Sequence, residues 1–140
     1  MIYELKTIQI KLRVKDNQDN ASSPKQAYEI AKAIFNDLDA DQEHMILLAL
    51  DSANQIKGYK VISSGGQNST DPDFKIIFRN ALLLGAVSII LVHNHPSGET
   101  RPSVADEIFT RKVKEAGEIL SIPVLDHLII GKDGFEEVRR

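Results

Sequence analysis

Met45-Ile46-Leu47-Leu48-Ala49-Leu50 is an unbroken apolar run of strand length. A strand with one wet face would alternate polar and apolar residues, so this run predicts a strand covered on both faces, in a sheet layered between helices. The neighbouring segments agree. Asp51-Ser52-Ala53-Asn54 turns the chain into a second strand over about 56–62, a hairpin that argues against an all-parallel sheet. Upstream, Ser23-Pro24-Lys25-Gln26 reads as a helix start, with Ser23 as N-cap, Pro24 in the first turn and Gln26 closing a capping box. That helix is expected to run to about Asp37 and to bury Ala27, Ile30, Ala31 and Ile34. Further back, Ile8, Ile10, Leu12 and Val14 alternate with Thr7, Gln9, Lys11 and Arg13, the pattern of a half-buried strand. Downstream, Asp71 and Pro72 open a helix over about 73–84 that Gly85 ends, after a loop over 63–70, and 86–92 form a strand. Val104, Ile108, Phe109, Val113, Ala116, Ile119 and Leu120 fall on one stripe of the longest helix. Pro123 precedes a last strand, Val124 to Ile130, closed by Gly131. The alternation predicts one α/β domain over residues 1–140: a mixed sheet with helices on both faces, a strand and a helix within 1–40, and the core within 41–131.

The composition narrows the chemistry. The chain of 140 residues has no Cys, which excludes disulfides, thiolate nucleophiles, iron–sulfur clusters and Cys-ligated zinc, including the P-C-x-x-C element of zinc deaminases. Its 17 Lys+Arg against 20 Asp+Glu give a formal charge of -3, which argues against direct nucleic-acid binding driven by charge. Residues 1–15 are alternating and charged rather than an apolar signal sequence. The most apolar stretch, Ala81 to Val92, is interrupted by Gly85 and Ser88 and is too short to span a bilayer. A soluble, cytoplasmic protein is expected. Arg111, Lys112 and Lys114 on the long helix read as a solvated face.

The chemistry concentrates in one segment. His93-Asn94-His95-Pro96 follows directly on a strand, and Pro96 biases His95 toward extended geometry. Residues two apart in an extended chain share a face, so His93 and His95 can present both imidazoles to one ion. Asp106 lies in the first turn of the long helix, where Ser103-Val104-Ala105-Asp106 also has the spacing of a helix cap. Two imidazoles and one carboxylate make a three-ligand set with an open fourth position, the pattern of catalytic zinc sites. His93, His95 and Asp106 are therefore the candidate metal ligands.

His93-Asn94-His95-Pro96-Ser97-Gly98 followed by Pro102-Ser103-Val104-Ala105-Asp106 resembles the metal signature of the JAMM/MPN+ metallopeptidases, and specifically their RadC-like bacterial branch. Ala81-Leu82-Leu83-Leu84, Glu115-Ala116-Gly117 and Val124-Leu125-Asp126-His127-Leu128-Ile129-Ile130-Gly131 resemble the same branch, so the likeness covers about two-thirds of the chain. The resemblance implies a three-layer α/β/α sandwich of the cytidine-deaminase-like kind with Zn2+ held by His93, His95 and Asp106. It also implies a catalytic Glu on an early strand, matched here by Glu43, as general base and then acid, and Ser103 as support for an oxyanion. The implied reaction is hydrolysis of an amide or isopeptide bond in a peptide or protein substrate.

Two departures bear on what is carried over. RadC-like proteins usually have an upstream helix-hairpin-helix DNA-binding element, whereas the residues before Asp41 read here as one strand and one helix, which weakens a DNA-repair role. Phe74-Lys75 stands where the branch often has Pro-Arg, and a lysine lacks the bidentate fork of an arginine. The rival reading is a non-catalytic or DNA-repair-associated adaptor that keeps the metal site. Phosphodiester cleavage usually needs two metals, and the sequence offers ligands for one. Asp126 and His127 must face opposite sides of their strand, and Asp126 is the candidate partner for a metal-bound histidine.

Overall fold

Strand β1 (His44–Leu50) is buried along its whole length and lies inside the sheet, with a neighbour on each side. The computed structural model describes residues 1–4, 20–64 and 73–139. The strand expected at Thr7–Lys15, residues 65–70 of the loop expected over 63–70 and the opening residues Asp71 and Pro72 lie outside the described residues. Ser63 and Ser64 of that loop belong instead to the second strand, where they pair with Met45 and His44. The chain order is α1 (Pro24–Phe35), β1, β2 (Ile56–Ser64), α2 (Phe74–Leu83), β3 (Ser88–Asn94), α3 (Val104–Ile119), β4 (Val124–Ile130) and β5 (Phe135–Glu137). The five strands form one mixed sheet in the order β2-β1-β3-β4-β5. β1 is antiparallel to β2 and to β3, β3 is parallel to β4, and β4 is antiparallel to β5.

Local chemistry explains most boundaries. In α1, Ser23 and Gln26 form the reciprocal capping box with Pro24 in the first turn, and Ala27, Ala31 and Ile34 are buried. Ile30 is only partly buried, and the helix ends at Phe35, two residues before the expected Asp37. The β1–β2 turn is held by Asp51, whose Oδ1 accepts from the N–H groups of Ala53 and Gln55, with Asn54 at φ 59°. α2 is capped by Asp73, whose side chain accepts from the Lys75 N–H, and Gly85 at φ 65° follows its end.

Alternation on the strands sorts the core into two layers. Ile46, Leu48 and Leu50 of β1, with Ile90 and Val92 of β3 and Leu128 and Ile130 of β4, pack against Ala27, Ala31 and Ile34 of α1. Met45, Leu47 and Ala49, with Ile89 and Leu91, pack against Ile77, Phe78 and Ala81 of α2 and Phe109 and Val113 of α3. Helices thus lie on both faces, α1 on one and α2 with α3 on the other.

Two further expectations need correction, and one strand was not expected. β3 starts two residues later than expected and continues through His93 and Asn94, because Met45 of β1 and Ile129 and Ile130 of β4 pair with them. The stripe on α3 is narrower than expected: Phe109, Thr110, Val113 and Gly117 are buried, while Val104, Ile108, Ile119 and Leu120 face solvent. β5 gave no sequence signal. It has three residues, too few to show a period, and exists because the 131–134 turn returns the chain to β4.

Candidate metal centre

The antiparallel register that sets Met45 against His93 brings two histidines and a glutamate to one corner of the sheet. Glu43 lies two residues before Met45 and His95 two residues after His93, so parity puts all of them on the α2/α3 face at the same end. Glu43 Oε1 is 3.8 Å from His93 Nε2, and the two ring Nε2 atoms are 3.1 Å apart. The donor atoms of Glu43, His93 and His95 all fall within 4.8 Å of one another.

Asp106 arrives from the other side, on the first turn of α3. Ser103 caps the helix by accepting from the Asp106 N–H at 3.0 Å, and Asp106 Oδ2 accepts from the Ser103 N–H at 2.8 Å. The same carboxylate lies 3.3 Å from His93 Nε2 through Oδ1 and 3.4 Å from His95 Nε2 through Oδ2. Capping and convergence on the imidazoles coexist because a carboxylate has about four acceptor positions. Burial opposes ionisation of Asp106, but its contacts with His93 and with the Ser103 N–H outweigh it and hold the carboxyl well below the usual carboxylate range. Asp106 is an anion at any working pH.

His95 shows what the cluster lacks. Its Nδ1 is 3.1 Å from the Glu99 carbonyl oxygen, which can only accept, so the Nδ1 carries the proton and a neutral ring leaves Nε2 bare. A bare imidazole nitrogen, a second imidazole nitrogen and two carboxylates therefore point at one small volume. Acceptors at such distances repel unless a proton or a cation lies among them. Imidazole and carboxylate donors suit a borderline cation such as zinc, so the residues fit the metal that the sequence implies.

The loop that carries His95 is held in place. Gly98 has φ 86°, a left-handed conformation suited to glycine, and its carbonyl accepts from the Lys132 N–H at 2.9 Å. Gly131 packs so tightly on the Gly98 carbonyl and the Thr100 side chain that a Cβ there would collide with both. A groove of about 610 Å³ lies between this loop and the 133–136 turn, with Glu99, Arg101, Asp133 and Glu136 in its wall. Neither the two histidines nor Glu43 or Asp106 lines it.

Residues 21–138 match the RadC-like JAB domain family. The chain belongs to that family. Similar curated proteins include the UPF0758 protein of Desulforamulus reducens, 36% identical over 96% of this chain and 63% of its own length. That of Flavobacterium johnsoniae is 42% identical over 78% of this chain and 47% of its own, and that of Methanosarcina barkeri 35% over 90% and 54%. The chain thus spans about half to somewhat under two-thirds of the length of these relatives.

In this RadC-like JAB domain the residue touching His93 from behind is His127, and Asp126 is not. His127 Nε2 is 2.7 Å from His93 Nδ1, and its other nitrogen is 2.6 Å from Thr110 Oγ1. Burial is the main reason that the His127 pKa falls to about 3. Asp126 pairs with Ile90, on the α1 side, where burial first and then the neighbouring Glu137 carboxyl push it up to about 6. Parity separated these neighbours, but only the helix layers reveal which one turns toward the imidazoles. Thr110 gave no sequence signal beyond lying next to Phe109. Lys75 is exposed and loosely paired with Asp73 at 3.8 Å. His44, next to Glu43, is buried, with Nε2 2.8 Å from the Asp39 carbonyl. Among the described residues no helix is long and apolar enough to cross a membrane.

Proposed function

We propose that this domain is a zinc-dependent hydrolase acting on an amide or isopeptide bond of a peptide or protein. The supporting observation is the meeting of His93, His95 and Asp106 around one position, with Glu43 beside it on the open side and 42% of its side chain accessible. In this reading His93, His95 and Asp106 hold the metal, which when bound would supply Lewis acidity and a water acidified toward neutral pH. Glu43 stays off the metal. Its carboxylate takes a proton from the attacking water and passes it to the leaving amine, a role worth roughly 100- to 10,000-fold in rate. Ser103 uses its oxygen to cap α3 and keeps its hydroxyl proton to donate to the oxyanion that develops on the scissile carbonyl. The same reading takes the two helical layers and the mixed sheet as a three-layer α/β/α sandwich of the cytidine-deaminase-like kind, and the setting as cytoplasmic.

Glu43, His93 and His95 form the alternative ligand set, and two substitutions separate the possibilities. Zinc content by metal analysis is expected to be lost in Asp106→Ala and retained in Glu43→Gln, with turnover on an isopeptide and peptide panel lost in both. Full zinc stoichiometry in Asp106→Ala would overturn the ligand assignment. Undiminished turnover in Glu43→Gln would overturn the proton role. A wild type that binds zinc yet cleaves nothing on the panel would favour the adaptor reading.

A further inference from the structure

We infer that His127 and Thr110 are positioning residues: they fix the His93 tautomer through a hydrogen-bond chain rooted in the Asp106 main-chain carbonyl, so that Nε2 offers its lone pair to the metal. The inference rests on the metal-site reading above and deepens it. Three contacts make the chain. Thr110 Oγ1 lies 2.7 Å from the Asp106 carbonyl oxygen and 2.6 Å from His127 Nδ1, and His127 Nε2 lies 2.7 Å from His93 Nδ1.

The protons on these contacts can be assigned one after another. A carbonyl oxygen only accepts, and a hydroxyl has one proton to give. Both Thr110 contacts are hydrogen bonds only if that proton points to the Asp106 carbonyl and His127 Nδ1–H donates to Oγ1. His127 is 1% exposed, and an imidazole so deeply buried is neutral with a single N–H. Its Nε2 is then bare and accepts from His93 Nδ1–H. A neutral His93 ring has no second proton, so its Nε2 presents a lone pair toward Asp106 Oδ1 and His95 Nε2, 3.3 and 3.1 Å away.

Burial keeps the chain free of competitors. Thr110 is 0% and His93 1% exposed, so water does not offer alternative partners at the inner links. The Phe109 ring closes the side of His127 at a centroid distance of 5.7 Å. Metal-bound histidines usually donate their second N–H to a carboxylate or carbonyl. Here a neutral imidazole accepts instead and adds no negative charge, but it has two tautomers of its own, and the threonine selects between them. Asp106 therefore acts twice on His93, through its carboxylate at Nε2 and through its carbonyl, two side chains away, at Nδ1.

The test is nitrogen-resolved NMR of the imidazoles in the full chain, with zinc titrations of the same samples. Metal-free wild type is expected to show His127 protonated on Nδ1 and bare on Nε2. Thr110→Val keeps the shape but removes the acceptor, so His127 is expected to move its proton to Nε2 and His93 to move its own from Nδ1 to Nε2, and the zinc dissociation constant is expected to rise roughly 10- to 100-fold. Thr110→Ser restores the hydroxyl and is expected to recover both readouts. An Nε2-protonated His127 in the wild type overturns the inference, as does a Thr110→Val protein that keeps zinc affinity within about threefold of wild type. If Thr110→Val fails to fold, the wild-type spectrum decides. An Nδ1-protonated His127 in a wild type that binds no zinc upholds the chain and overturns the metal reading instead.

Discussion

The two faces of the sheet are built from the same strands and differ at one corner. On the α1 face, Ile46, Leu48, Ile90, Val92, Leu128 and Ile130 give an aliphatic layer. On the α2/α3 face, Leu47, Ala49, Ile89 and Leu91 do the same until His93, His127 and Thr110 replace hydrocarbon with buried polar groups. Adjacent residues show the contrast most sharply: Asp126 on one side is pushed up to about 6, and His127 on the other is pushed down to about 3. Burial suppresses charge in both, but only His127 has hydrogen-bond partners at both of its polar atoms. A buried polar cluster is tolerable when its members satisfy one another, and this one lies where the first turn of α3 meets the ends of β1, β3 and β4.

The comparison can be broken by substitutions on either side. Asp106→Asn on α3 should have the largest effect. Asparagine still offers an oxygen to the Ser103 N–H, so the helix cap and the thermal midpoint should change little. Zinc affinity should fall by more than the roughly 100-fold upper range seen when an outer hydrogen-bond partner is removed. Equal losses of stability and affinity would show that the two roles of Asp106 are inseparable. Leu48→Ala on the α1 face should do the reverse, costing about 2–5 kcal/mol in denaturant unfolding while zinc affinity in the folded protein stays unchanged.

Asp126→Asn tests the polar exception on the aliphatic face. Asp126 binds its proton more tightly in the folded chain than in the unfolded one, where the carboxyl keeps its ordinary value of 3.8. The stability it confers is therefore full below that value and is lost as pH rises from about 4 through about 6. Asp126→Asn should flatten this decline and stabilise the protein at neutral pH by about 1 kcal/mol, the shift being discounted for partial exposure. Unfolding midpoints across that window for both proteins provide the check. The smallest effect belongs to Ile119→Lys. Ile119 is apolar but 83% exposed, and its loss should change stability by no more than about 0.5 kcal/mol.

What could be read from the sequence was what depends on near neighbours. The run Met45–Leu50, the Ser23-Pro24 start of α1 and the Ser103–Asp106 cap are local patterns, and each stands where its chemistry puts it. The pairing of Met45 with His93, which brings Glu43 toward the histidines, joins residues far apart in the chain and had no sequence signal; only resemblance singled out Glu43. Periodicity grouped Val104, Ile108, Ile119 and Leu120 with Phe109 and Val113, but period alone does not say how wide a contact the sheet offers, and these four face solvent. The Thr110–His127 chain was hidden for a similar reason. Its two residues come from different elements, and neither carries a pattern that announces the other.

Gly131 has a consequence for the tail of the domain. The hairpin formed by β4 and β5 looks peripheral, yet its turn lies in contact with the backbone of the loop whose Glu99 carbonyl orients His95. Two of the three nearest atoms there are backbone, which cannot swing aside to absorb a change. Even a single methyl at position 131 would drive the loop outward and carry its imidazole with it, so this short hairpin is the mould against which the histidine loop is cast.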